Sequence, residues 1–174
     1  MNKQSKDFLF ELLNTPSPTG NEQAIQRVVK RHMQKYADSI EIDLHGNLTV
    51  AINTKAKRKV MLAGHCDQIG LMVSHITKEG FIYVTALGGI DVGVLHGAWV
   101  TIHAKNGPIE GVIGRKPIHS QNKEERDRVK SELEKIWIDI GAKNQKEAEK
   151  KIQIGDSITF KLGPAELWND LVVS

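Results

Sequence analysis

The segment Val60-Met61-Leu62-Ala63-Gly64-His65-Cys66-Asp67 decides how this chain is read. Its first five residues are an uninterrupted apolar run, the composition of a strand covered on both faces, as in a sheet with helices packed on either side. Gly64 and His65 then fall at the carboxyl end of that strand, where open α/β sheets gather their ligands because the loops there form a crevice. In extended backbone, residues i and i+2 share a side, so His65 and Asp67 point together and Cys66 points away. A neutral imidazole at such a place can offer one ring nitrogen to a metal. The carboxylate can accept the other ring N–H and so fix the tautomer. The same pattern suits a histidine satisfied by ordinary hydrogen bonds at a strand end, with Asp67 merely opening a turn. His-x-Asp is short and recurs by chance, so spacing alone leaves both readings open. A thiol nucleophile fits less well, because Cys66 faces away from its neighbouring histidine and suits a small apolar role.

Upstream, residues 3–14 predict a helix with Phe8, Leu9, Leu12 and Leu13 on one side. Thr15-Pro16-Ser17-Pro18-Thr19-Gly20 cannot continue it, having two prolines and a glycine. Asn21 is the expected cap of a second helix, with Glu22 in its positive first turn. There Ile25, Val28, Val29, Met33 and Tyr36 recur at helical spacing opposite Arg27, Lys30, Arg31 and Lys35. Ile40 and Ile42 alternate with polar neighbours, His45-Gly46-Asn47 forms a hairpin turn, and Leu48-Thr49-Val50-Ala51-Ile52 a second strand. A basic loop occupies residues 55–59. Two helices with such strands predict a partial layered α/β domain, helices on a mixed sheet.

Downstream, strands are expected at residues 71–76, 81–86, 99–104, 109–113 and 157–161, separated by turns that carry glycine. Closely spaced strands of this kind predict a barrel- or sandwich-like unit. A charged helix is expected at 122–135, where Glu124 and Glu125 lie on a solvated face, and a shorter helix at 143–151. Asp139 and Asp156, beside glycines, suit turns. The chain therefore divides into an α/β piece at 1–73, a β-rich piece at 74–165, and a short return strand at 166–174 on which the sequence stops.

Composition bounds the possible functions. The chain has 174 residues, 40% of them hydrophobic, and a formal charge of +3. That charge is too small for nucleic-acid binding driven by electrostatics. No apolar run approaches the roughly 18 residues of a membrane span, and Asp7 and Glu11 interrupt any secretory signal. One cysteine cannot form an internal disulfide, so a reducing cytoplasm is the expected location. Among the other histidines, none stands in a His-x-x-x-His pattern. His32, His75 and His103 fall on elements where structural roles are expected. His119, in Arg115-Lys116-Pro117-Ile118-His119, lies in an irregular loop after a strand and is a secondary site candidate.

Several motifs stand together in order. They are Pro16-Ser17-Pro18-Thr19-Gly20-Asn21-Glu22, Asp43-Leu44-His45-Gly46-Asn47-Leu48 and Gly64-His65-Cys66-Asp67-Gln68-Ile69-Gly70-Leu71-Met72-Val73. Gly111-Val112-Ile113-Gly114 follows with Lys116-Pro117-Ile118-His119, then Ile138-Asp139-Ile140-Gly141-Ala142, and Gly155-Asp156 with Thr159-Phe160. With these the chain resembles the amino-terminal half of the tetrahedral aminopeptidases, a metallopeptidase family that includes glutamyl aminopeptidases and proteins labelled cellulase M. The resemblance implies an α/β catalytic domain with an inserted β-rich dimerisation domain. It implies two divalent metal ions, zinc or cobalt, with peptides as substrate and homo-oligomeric assembly. His65 matches a metal ligand and Asp67 the carboxylate supporting it in catalysis. Cys66 takes the variable middle place, and Gln68 stands where an acidic residue is common. The bridging aspartate, the general-base glutamate and the remaining ligands come later in the family's chains than residue 174. The chain alone is therefore expected to bind metal poorly and to be inactive. The alternative is a non-catalytic oligomerisation module or a truncated remnant.

Overall fold

Val, Ile and Leu recur at alternate positions through the central strands, and the backbone turns that alternation into a closed surface. A computed structural model describes residues 1–121, 123 and 132–174. They fall into two units, one of Met1–Gln68 with Gly163–Ser174 and one of Ile69–Leu162. The boundaries expected after residues 73 and 165 lie a few residues further along the chain than these.

In the first unit, α1 spans Lys3–Leu13, with the Asn2 side chain accepting the Ser5 N–H at 2.8 Å as its cap. Its apolar residues Phe8, Leu9, Leu12 and Leu13 are half-buried. The second helix, α2, spans Gln23–Met33 and buries Ile25 and Val28. Phe8 stacks on the His32 ring, with centroids 3.6 Å apart, and Arg31 pairs with Glu11. Asn21 is not the cap of α2. Glu22 holds that position, and its carboxylate accepts the Gly20 N–H at 2.6 Å within the preceding turn.

Strands β1 (Ser39–Ile42) and β2 (Leu48–Ala51) form the expected antiparallel hairpin. Asp43 organises its turn, accepting from the backbone N–H of His45 and of Asn47 and from the Asn47 side chain. Those bonds, led by the one from the Asn47 side chain, hold its carboxyl below the usual carboxylate range.

The run at residues 60–64 departs from expectation. It forms no strand, and Val60, Met61 and Leu62 are 79%, 87% and 93% exposed. The physical reason is the lack of a ladder. A strand exists through hydrogen bonds to its neighbours, and none lies beside this run among the described residues. The only pairing nearby is a single parallel bridge between Pro18 and Gln68. The mixed sheet expected beneath the helices is likewise replaced by separate two-stranded antiparallel ribbons.

The second unit is β-rich, as expected, and its form is a six-stranded barrel. Strands β3 (Gly70–Ile76), β4 (Ile82–Leu87), β5 (Trp99–Ala104), β6 (Gly107–Arg115), β7 (Ile136–Asp139) and β8 (Ser157–Phe160) close in the order β3-β4-β7-β6-β5-β8. Leu71, Val73, Ile82, Val100, Ile102, Ile113, Ile138 and Ile158 fill the interior. A β-bulge between Val73 and His75 lets β3 follow the curvature. Gly111 is required by close approach, since a Cβ there would lie 2.6 Å from Ile138 Cγ2. Strand β7 was not anticipated in the sequence. The helix expected at 122–135 falls mainly outside the described residues; its described end, Leu133–Lys135, is a single 3-10 turn leading into β7. The helix expected at 143–151 is the shorter α3, Gln145–Glu149, capped by Asn144.

The terminal segment belongs to the first unit and is a hairpin rather than a single return strand. Strands β9 (Ala165–Leu167) and β10 (Leu171–Val173) are joined through Asn169 and Asp170, with φ of 62° and 57°. Asn and Asp are the non-glycine residues that enter this left-handed region most easily. Lys6 of α1 forms an ion pair with Glu166 of β9 at 2.5 Å. No helix among the described residues is long and apolar enough to cross a membrane.

Candidate metal-ligand site

The site forms where Gly64-His65-Cys66-Asp67-Gln68 runs alongside Ser17-Pro18-Thr19. Two prolines fix φ on either side of Ser17 and hold that segment extended. Hydrogen bonds then lock the two segments together. The Gln68 N–H donates to the Ser17 carbonyl at 2.9 Å, and the Ser17 hydroxyl donates to the Cys66 carbonyl at 2.9 Å. Pro18 and Gln68 pair there as a single parallel bridge. Ser17, at 1% exposure, is a buried polar residue whose hydroxyl is satisfied through this arrangement.

On the extended backbone so held, His65 and Asp67 share a side. The His65 Nδ1 lies 2.9 Å from Asp67 Oδ1. The other carboxylate oxygen, Oδ2, accepts the Thr19 hydroxyl at 2.7 Å. The Thr19 hydrogen bond first, and the His65 contact second, hold the Asp67 carboxyl below its usual range. An ionised carboxylate is the form that accepts an imidazole N–H. With Nδ1–H given to Asp67, the lone pair sits on Nε2, and the His65 side chain is 84% exposed. An open, oriented imidazole nitrogen with a carboxylate behind it is the arrangement of a metal-ligating histidine.

An open pocket of about 260 Å³ lies at this place, lined by His65, Cys66 and Asp67 together with Leu9, Leu12 and Ile25 of the two helices. Cys66 is a free, half-buried thiol, pushed up in pKa first by burial and then by the nearby charges of Asp67 and Glu22. A raised pKa leaves little thiolate, against a nucleophilic role.

His119 lies on the 3-10 turn Ile118–Ser120 of the barrel unit, and is exposed. His103 of β5 bonds to Thr159 of β8 at 2.8 Å inside its own unit. Among the described residues, no group of three or more His, Cys, Asp and Glu side chains is placed to enclose a metal ion. A catalytic zinc site keeps three protein ligands, so His65 and Asp67 fit one corner of such a site, not the whole of it. The i, i+2 spacing places His65 and Asp67 on one side in the sequence, and the 2.9 Å contact agrees with that placement. The sequence does not reveal the contacts of Ser17 and Thr19, which no local signal links to residues almost fifty positions away.

Residues 46–174 match the family described as M42 glutamyl aminopeptidase. The lysyl aminopeptidase of Pyrococcus furiosus is 31% identical over 144 residues, covering 82% of this chain and 41% of its own length. The TET aminopeptidase of the marine sediment archaeon Thaumarchaeota archaeon SCGC AB-539-E09 superposes with a TM-score of 0.90 at 31% identity, over 96% of this chain and 46% of that one. The TET1 peptidase of Pyrococcus horikoshii, which can assemble into a tetrahedron or a large octahedral shell, gives 0.79 at 30% identity, over 92% and 47%. The chain spans about half the length of the curated relatives it matches.

Proposed function

Since this chain belongs to the M42 glutamyl aminopeptidase family, we propose that it forms part of a metal-dependent aminopeptidase, to which it contributes one ligand, His65, and the carboxylate that orients it, Asp67. The observation that carries this reading is the 2.9 Å contact between His65 Nδ1 and Asp67 Oδ1, which leaves Nε2 free on an exposed ring. Two divalent ions, zinc or cobalt, are the proposed cofactors; when bound, such a pair supplies Lewis-acid polarisation of a scissile carbonyl and an activated water. This chain's own part is narrower. Asp67 holds the imidazole in the Nδ1–H tautomer and makes Nε2 a better donor, and the clamp at Ser17 fixes the backbone that carries both. A peptide with a free amino terminus is the proposed substrate, and His119, in the barrel unit, remains only a secondary site candidate.

One histidine and its supporting carboxylate do not close a two-metal site, so the 174-residue chain is proposed to be inactive alone. The test is hydrolysis of leucine and glutamate anilides by the purified chain with added zinc or cobalt. Background rates are expected, and activity that a chelator abolishes would overturn the proposed division of ligands. A second reading is favoured by the closed barrel, the part of this chain with a complete core. In it, the barrel serves assembly, pairing with a second copy without catalysis. Sedimentation at micromolar concentration should show a dimer, and a strictly monomeric chain would count against it.

A further inference from the structure

The Asp67 carboxylate has two oxygens and a different side-chain partner on each. Oδ1 lies 2.9 Å from the His65 Nδ1, and Oδ2 accepts the Thr19 hydroxyl at 2.7 Å. The terminal torsion of an aspartate is broad and roughly two-fold, so a carboxylate tied only to the imidazole is free to swing about it. A second bond, to the opposite oxygen, fixes the plane. We propose that Thr19 is a positioning residue: its hydroxyl sets the plane of the Asp67 carboxylate, which then holds His65 with the Nε2 lone pair outward for a divalent cation. The inference rests on the reading of His65 as a ligand, and extends it by one residue.

The place of Thr19 is itself fixed. It follows Pro18, whose backbone bridges to Gln68, and Ser17, whose hydroxyl and carbonyl are both bonded to the 66–68 segment. The Asn21 N–H donates to the Pro18 carbonyl at 2.8 Å, which places Thr19 inside a hydrogen-bonded four-residue turn. The entropy of orienting the hydroxyl is thus met by contacts elsewhere in the clamp. Thr19 is exposed, so packing gives it no other task. Threonine fits the position because its branched Cβ leaves few rotamers, and the hydroxyl keeps its aim without further support.

The test reads the His65 tautomer directly, with no metal and no turnover needed. The full chain is labelled with histidine carrying ¹⁵N in the ring, His65 is assigned with His65→Gln, and spectra are taken at pH 8.5, well above the ordinary histidine range. The wild-type chain and Thr19→Ser are expected to show His65 mainly as the Nδ1–H tautomer. Asp67→Ala should move it toward the Nε2–H form that free imidazole prefers, and Thr19→Val should move it at least halfway to the same position. An unchanged His65 in Asp67→Ala would sink the reading of Asp67 as the carboxylate that orients it, and the role of Thr19 with it. A shift in Asp67→Ala with none in Thr19→Val would overturn the role of Thr19 and leave that reading intact. An equal shift in Thr19→Ser would also overturn it, since the hydroxyl is retained there. Circular dichroism checks each variant, and Thr19→Ala replaces Thr19→Val if the latter unfolds. Loss of fold in both would make Thr19 a structural residue and overturn the proposal.

Discussion

The barrel and the helical unit hold the same kinds of aliphatic residue and dispose of them in opposite ways. In the barrel, Leu71, Ile82, Ile102 and Ile158 are wholly buried. In the helical unit, Val60, Met61 and Leu62, with no less apolar side chains, stand almost fully in solvent. Composition does not separate the two. Strand partners do. Each barrel strand has a neighbour on both sides, so its backbone groups are paired and its inward residues meet others across a closed interior. The helical unit has two ribbons of two strands each, and such ribbons are marginal without further cover. An apolar run becomes core only when something supplies its hydrogen bonds.

The largest expected effect lies at the centre of the barrel. Ile138 sits on β7, pairs with Ile82 on one side and Ile113 on the other, and is 1% exposed. Truncation by Ile138→Ala should cost about 2–5 kcal/mol, the range for emptying a core site. Denaturant unfolding followed by the fluorescence of Trp99 and Trp137 measures it. A smaller loss, about 1–3 kcal/mol, is expected for Gly111→Ala, because the new methyl must displace Ile138 from a packed interior. Both variants should leave the helical unit's circular dichroism unchanged if the two regions gain their stability separately.

The barrel was more legible in the sequence than the helical unit, and for the same reason. Strands β3, β4, β5, β6 and β8 announce themselves by alternation between glycine-bearing turns, a local signal that survives because each strand pairs within the unit. Strand β7 escaped because Ile136-Trp137-Ile138-Asp139 is only four residues long and follows a charged stretch that reads as helix. The run at 60–64 misled in the other direction. Its composition is that of a doubly covered strand, but covering is a property of neighbours, which a local reading cannot see. At the site, His65 and Asp67 were legible because two residues of extended chain bring them together. Thr19 was not, since its contact with Asp67 spans 48 residues. The turn at Asn169-Asp170 was missed although both residues tolerate a positive φ, because the segment was read as one continuous strand.

Acid should separate the two regions further. Burial lowers the pKa of His103, which bridges β5 to Thr159 on β8 in the barrel wall. The unfolded chain then binds a proton more readily than the fold does. The stability that rests on neutral His103 is complete above the ordinary histidine value near 6.5, and is lost progressively as pH falls below it. Unfolding midpoints between pH 7.5 and 5 should therefore fall for the barrel. The slope should flatten in His103→Gln, which keeps a polar partner for Thr159 without the titration. An equal slope in both proteins would remove His103 as the cause.

The smallest expected effect is the sharpest test of the comparison. Leu62 is 93% exposed in the fold and exposed again in the unfolded chain, so its apolar surface changes little on folding. Leu62→Ala should then shift stability by no more than about 0.5 kcal/mol, as for other surface substitutions away from packed features. Leu62→Ser should do the same to stability and raise solubility, because it breaks a contiguous apolar stretch facing water. The two readouts answer different questions. A loss in Leu62→Ala comparable with that of Ile138→Ala would mean the run is packed against something in solution, and the contrast between the two units would fail at its most exposed point.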